Sequence, residues 1–301
     1  MRNLSVNIAG VTLKNPVTTA SGTFASGREY AEFVDLNRLG AVTAKGVSAV
    51  PWQGNPPARI AETYGGMLNC IGLQNPGVDY FINEDYPFLR KFDTKIILNI
   101  AGHSTQEYCD VINRLNETST AVDLLELNIS CPNISGTAIS TDAKRTEETV
   151  SAIKKQAKQP LIVKLSPNVT DITEIARAAE AGGADGLSMI NTLLGMRIDI
   201  NRRAPILSNK VGGFSGPAVK PVAVRMVYQT AKAVSIPIIG MGGISTGEDA
   251  IEFIMAGATA VAVGTANFSN PMATVNVIDG IVKFMEKNNI SDINEIRGIV
   301  K

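Results

Sequence analysis

Residues 161–190 read LIVKLSPNVTDITEIARAAEAGGADGLSMI, and this stretch decides the fold. Leu161–Leu165 and Gly186–Ile190 are short, mostly apolar runs, and Ile172–Ala181 between them has helical amphipathic spacing. The flanking runs do not alternate in polarity. Strands of that kind are covered on both faces, as in a parallel sheet sheathed by helices.

The same strand–helix rhythm extends in both directions. Candidate strands are Val17–Ala20, Ala41–Lys45, Lys95–Asn99, Leu124–Asn128, Leu161–Leu165, Gly186–Ile190, Ile236–Gly240 and Ala260–Val263. A hairpin, Ser5–Ile8 with Val11–Leu13, precedes them. Helical stretches include Glu107–Asn116, Glu147–Gln156, Val222–Ala233 and Gly247–Ala256. Eight such units in 301 residues predict an α/β chain closed into a (β/α)8 TIM barrel. The alternative is a doubly wound open sheet, with its ligand at a switch point of strand order. Segments 46–76 and 193–217 are too long for simple connections. Both follow strands, so both are expected as long loops on the C-terminal face, where barrel active sites lie. No flexible linker interrupts the chain, so 1–301 is expected to form a single domain.

Composition narrows the function. Lys and Arg together number 28, as do Asp and Glu, and there is one His. The balance argues against a nucleic-acid binder. Three cysteines, Cys70, Cys109 and Cys131, form no C-x-x-C pair. The expectation is a reduced cytoplasmic protein with no disulfide framework, no metal centre and no self-contained iron–sulfur cluster. A Ser/His/Asp hydrolase is disfavoured, because no G-x-S-x-G elbow accompanies His103. The N-terminal MRNLSVNIAGVTLKN alternates and has no apolar export core. The uncharged stretch Phe253–Ile278 is broken by Gly257, Gly264 and Pro271, so it reads as helix end, strand and loop, not as a membrane span.

Four features carry chemistry. Gly240-Met241-Gly242-Gly243 and Val263-Gly264-Thr265 are glycine turns after the last two strands, where barrels commonly hold phosphate. Lys45 and Lys164 sit in apolar strands. Burying an unpaired charge is costly, so two such lysines suggest a shared anionic ligand. Cys131 follows the fourth strand, flanked by Asn128 and Asn133. Further amides, Asn191 beside Thr192, and Asn69 with Asn75, suggest a planar substrate rich in carbonyl and N–H groups.

Asn128-Ile-Ser-Cys-Pro-Asn133, Asn69-Cys-Ile-Gly-Leu-Gln-Asn-Pro-Gly77, Ala44-Lys-Gly-Val-Ser48, Gly54-Asn-Pro56 and Gly240-Met-Gly-Gly243 resemble the dihydroorotate dehydrogenases. The likeness spans essentially the whole chain. A Cys in the fourth-strand motif is similar to class 1, and the Lys-Gly-Val-Ser form to the NAD-linked class 1B. Three residues depart from the pattern: Trp52-Gln53 stands where family members often have a basic–acidic pair, and Cys70 replaces a usual Ala or Ser.

The resemblance implies FMN at the barrel mouth. Gly242, Gly243, Gly264 and Thr265 would hold its phosphate, with Gly216 nearby. Ser21, Gly46, Asn99, Asn128 and Ile190 would surround the ring, Lys164 would face its N1/O2 side, and Lys45 would reach both flavin and substrate. Asn69, Cys70, Ile71, Gly72, Leu73, Asn128, Asn191 and Thr192 would hold dihydroorotate or orotate. Cys131 would be the general base, and 132–140 a lid. The resemblance further implies an electron-transfer subunit carrying FAD and a [2Fe–2S] cluster, and a homodimer core in a heterotetramer. A fumarate-dependent class 1A enzyme and a non-catalytic flavin-binding protein are the alternatives.

Overall fold

The computed structural model describes residues 2–130 and 139–300. Eight parallel strands close a barrel: β1 (Val17–Thr19), β2 (Ala41–Val47), β3 (Lys95–Ile100), β4 (Leu124–Asn128), β5 (Leu161–Lys164), β6 (Gly186–Met189), β7 (Ile238–Met241) and β8 (Ala260–Val263). Each pairs with its neighbours in chain order, and β8 returns to β1. Closure excludes the open sheet. The strands are buried along almost their whole length, the burial that their unbroken apolar runs require.

The helices begin earlier than their apolar periodicity. Thr105–Glu117 starts at Ser104, whose hydroxyl accepts the Glu107 N–H, and Ala143–Lys154 starts at Asp142, which accepts from Arg145 N–H. The caps lie outside the apolar stripe, so periodicity alone misses the first turn. Ile172–Ala181 and Gly247–Ala256 match their expected bounds, capped by Asp171 and Thr246. The segment read as loop before Ile278 contains the start of a further helix, Ala273–Lys287.

The largest departure concerns the two long segments. Each contributes strands, and together these build a four-stranded antiparallel sheet in the order Leu193–Met196, Val211–Ser215, Gly66–Asn69, Ile60–Thr63. It has its own small core of Ala61, Leu68, Cys70 and Leu207. The N-terminal hairpin, Val6–Ile8 with Val11–Leu13, forms as expected and sends Val6, Ile8 and Leu13 into the main core. Among the described residues no helix is long and apolar enough to cross a membrane.

Candidate active site

The C-terminal ends of the barrel strands and the antiparallel sheet enclose a cavity of about 940 Å³. Lys45, Asn99, Asn128 and Lys164 line it from the barrel, and Met67, Asn69 and Phe214 from the sheet. Ser21, Gly46, Cys70, Ile71, Gly72, Leu73, Ile190, Asn191, Thr192, Gly216, Gly242, Gly243, Gly264 and Thr265 line it too. Of the described residues that the sequence analysis placed at the site, the structure brings together all but Asn75 on this cavity. Cys131 and residues 132–138 of the expected lid lie outside the described residues.

Lys45 owes its place to a bulge. The β2–β3 register shifts between Ala44 and Val47, so Lys45 and Gly46 are the irregular pair. A bulge re-aims side chains, and here it falls at the cavity wall. Burial pushes the Lys45 ammonium below the ordinary lysine range, and the charge of Lys164 adds to the shift.

Lys164 corrects an expectation. Its charge does not depend on a ligand for a partner, because Glu126 Oε1 lies 3.7 Å from its Nζ and both side chains are buried. The same oxygen accepts a 2.6 Å hydrogen bond from Asn99 Nδ2. Asn99 and Glu126 are direct cross-strand partners, as are Asn128 and Lys164. Glu126 and Asn128 share a face of β4 at a spacing of two, so Glu126 lies one layer below the cavity floor. Removing one member of such a buried pair typically costs ~3–5 kcal/mol.

The amides form a linked set. Asn128 Oδ1 accepts from Ser130 Oγ at 2.6 Å and from Asn191 Nδ2 at 3.3 Å, and Asn191 Nδ2 also reaches Ser130 Oγ. Asn191 Oδ1 accepts the Thr192 N–H at 2.8 Å. Asn168 holds the next turn through Thr192 O and Leu194 N–H. Asn69 Nδ2 makes a long 3.4 Å contact to Gly213 O and faces the cavity. Asn75 does not belong to this set. It is buried away from the cavity, and its amide folds the loop by accepting from Ser48 and Gly77 N–H and donating to Leu73 O.

The glycine turns supply donors. Among the described residues, the N–H groups of Gly242, Gly243, Gly264 and Thr265 donate to no backbone acceptor in the turns. Gly243 has φ +81°, and a Cβ there would fall 2.8 Å from Lys220. Asp249 fixes the turn from behind, accepting Ser245 and Thr246 N–H and the Lys220 ammonium. Thr265 Oγ1 donates to Ser215 Oγ at 2.8 Å.

Cys70 faces the small core of the sheet, with its sulfur 3.8 Å from Ala58 O and from Ser208 Oγ. Gly72 must lack a side chain, since a Cβ would meet Asn55 at 2.7 Å. Trp52 stacks on His103 at 4.2 Å to complete one wall. Sequence reasoning missed Glu126, Asn55, Ser130, Ser166, Asn168 and Ser215. Glu126 left a signal, an acid in an apolar strand, and Asn55 and Ser130 lay inside the motifs Gly54-Asn-Pro56 and Asn128-Ile-Ser-Cys-Pro-Asn133.

A family model of dihydroorotate dehydrogenase matches residues 3–285. The chain is 69% identical to the dihydroorotate dehydrogenase B (NAD(+)) catalytic subunit of Lachnoclostridium phytofermentans over 301 residues, 99% of this chain and 100% of that one. It is 67% identical to the protein of the same description from Alkaliphilus metalliredigens, over 98% of each chain. The crystal structure of an Eimeria tenella DHODH in complex with ferulenol aligns with a TM-score of 0.81, at 24% identity, over 99% of this chain and 88% of that one. That last likeness is one of fold.

Proposed function

Because the chain belongs to the dihydroorotate dehydrogenase family, we propose that residues 1–301 form one FMN-binding barrel domain, the catalytic chain of an NAD-linked enzyme. It oxidises dihydroorotate to orotate in pyrimidine biosynthesis. The observation that carries the site reading is the convergence of two lysines, a linked amide set and unused turn N–H groups on one cavity.

The donor set fits FMN. Gly242, Gly243, Gly264 and Thr265 offer backbone N–H groups suited to a phosphate, with the Ser215–Thr265 hydroxyl pair beside them. Lys164, Asn99, Gly46, Ser21 and Ile190 would hold the ring. When bound, FMN supplies the acceptor for the hydride that leaves C6 of dihydroorotate.

The chain's own groups do the rest. Asn69, Asn128, Asn191 and Thr192 present donors and acceptors to the pyrimidine, and the N–H groups of Ile71, Gly72 and Leu73 extend that wall. Lys45 gives the substrate carboxylate a cation whose solvation burial has already weakened. Cys131, three residues beyond Asn128, takes the proton from C5 as the general base, a role that rests on the resemblance. A thiol with an ordinary pKa of about 8.5 serves once its surroundings favour thiolate. A partner subunit carrying FAD and a [2Fe–2S] cluster takes the electrons to NAD, around a homodimer of this chain in a heterotetramer, in the cytoplasm. Three cysteines cannot themselves ligate a four-Cys cluster.

Heat release of the cofactor followed by chromatography checks the first element. One FMN per chain is expected; FAD, or no flavin, contradicts it.

A further inference from the structure

Glu126 lies beneath the cavity floor and touches two of the residues that line the cavity, Asn99 and Lys164. Its Oε1 accepts from Asn99 Nδ2 at 2.6 Å and lies 3.7 Å from Lys164 Nζ. A carboxylate has no N–H to give, so an amide beside it must turn its nitrogen inward. The Asn99 oxygen is then left on the other side, over Gly46, where an added Cβ would fall 2.4 Å from Asn99 Oδ1. Gly46 and Asn99 both line the cavity. The amide orientation is thus dictated by a charge, and a glycine keeps the space before the outward oxygen open.

We propose that Glu126 is a positioning residue that converts Asn99 and Lys164 into an ordered acceptor–cation pair, the complement of a ring edge carrying an imide N–H beside a carbonyl. This rests on the reading of the cavity as a flavin site, whose ring offers such an edge. Asn99 Oδ1 accepts the imide N–H, and the Lys164 ammonium meets the carbonyl side. Without the carboxylate the amide has no preferred face and Lys164 loses its buried counter-charge. The pair then ceases to discriminate a ring N–H from a ring that lacks one. Buried polar networks of this kind specify one arrangement when every member is satisfied.

The test uses the full chain stripped of flavin and titrated with FMN and with N3-methyl-FMN, following flavin fluorescence. Wild-type protein is expected to prefer FMN by about tenfold or more, the scale of one hydrogen bond in a buried site. Glu126→Gln is isosteric and should weaken FMN by about 10–100-fold, the scale of a charge-assisted bond, and bring the preference close to one. Glu126→Asp keeps the charge but withdraws it from Asn99. It should lose the preference in the same way, and it decides the matter if the Gln variant does not fold. Either folded variant retaining wild-type FMN affinity and preference overturns the proposal, as does a wild-type protein that binds both flavins equally. A wild-type protein that binds neither refutes the flavin reading and this proposal together.

Discussion

Burial pushes the Lys45 ammonium down, and Lys164 pushes it further. Between that lowered value and the ordinary lysine value of about 10.4, the unfolded chain holds more protons than the folded one. Stability therefore rises with pH across that window, and the penalty is fully present below it. Lys45→Met should melt no lower than wild type at pH 7 and lose this alkaline gain. Its orotate affinity should fall about tenfold or more, since a charged partner is gone. Melting curves over a pH series with orotate titrations check this; a lower melting point with unchanged orotate binding would contradict it. Cys131→Ala should slow flavin reduction by dihydroorotate roughly 10²–10⁴-fold, the usual worth of a positioned base, while orotate still binds. Cys70→Ala and Cys109→Ala should leave the rate near wild type, because both side chains pack into cores. Rapid-mixing measurements of flavin bleaching separate the three. Lys45, Lys164 and the amides were legible in sequence because a polar residue in an apolar strand or at its end stands out. The partner of Lys164 was not, because pairing across β4 and β5 depends on a register that one strand's sequence does not contain. Asn75 shows the reverse limit: the sequence of a loop does not distinguish an amide that faces a ligand from one that folds the loop.

At the scale of elements, the turn after β7 depends on a helix cap. Thr246 and Asp249 form a reciprocal capping box at the start of Gly247–Ala256. Desolvation raises the Asp249 carboxyl, but hydrogen bonds from Lys220, Ser245 and Thr246 outweigh it and hold the group below the ordinary range. Its contribution is present above the unfolded value of about 3.9 and is lost as pH falls through the lower folded value. Asp249→Ala should therefore cost about 1–2 kcal/mol at neutral pH, the scale of a lost cap, and weaken FMN binding by loosening Gly242 and Gly243. The stability gap to wild type should close toward the acid end of a denaturant series; a gap that persists there would assign the loss to packing instead. All eight barrel strands were legible to within about two residues, since continuous apolar runs have few other uses. The antiparallel sheet was not. Its strands are short, Gly-rich and half-exposed, and Gly66–Asn69 pairs with a strand from the far side of the sequence, so neither half carries the pattern alone.

Across the whole molecule, closure of the barrel gathers residues from all eight strand ends and two distant excursions around one cavity. The covering sheet, with the short two-stranded pairing of Ile198–Asp199 and Ala204–Pro205 that follows its first strand, leaves Ile60, Tyr64, Leu194, Met196, Ile198 and Ile200 exposed. Exposed apolar side chains of this kind suit protein contact, which the proposed partner subunit would require. The fold was legible at this scale because eight repeats of one unit admit few closures; the covering sheet shows that long insertions follow no such rule.

The central claim is that this chain alone oxidises dihydroorotate at its flavin and needs another polypeptide to reach NAD. The direct measurement is anaerobic mixing of the purified chain, free of any second protein, with dihydroorotate, while the flavin spectrum is followed before and after NAD is added. The account predicts rapid flavin bleaching that NAD does not reverse, with an artificial dye restoring the oxidised spectrum. A flavin that stays oxidised, or one that NAD reoxidises efficiently without a partner, would contradict it.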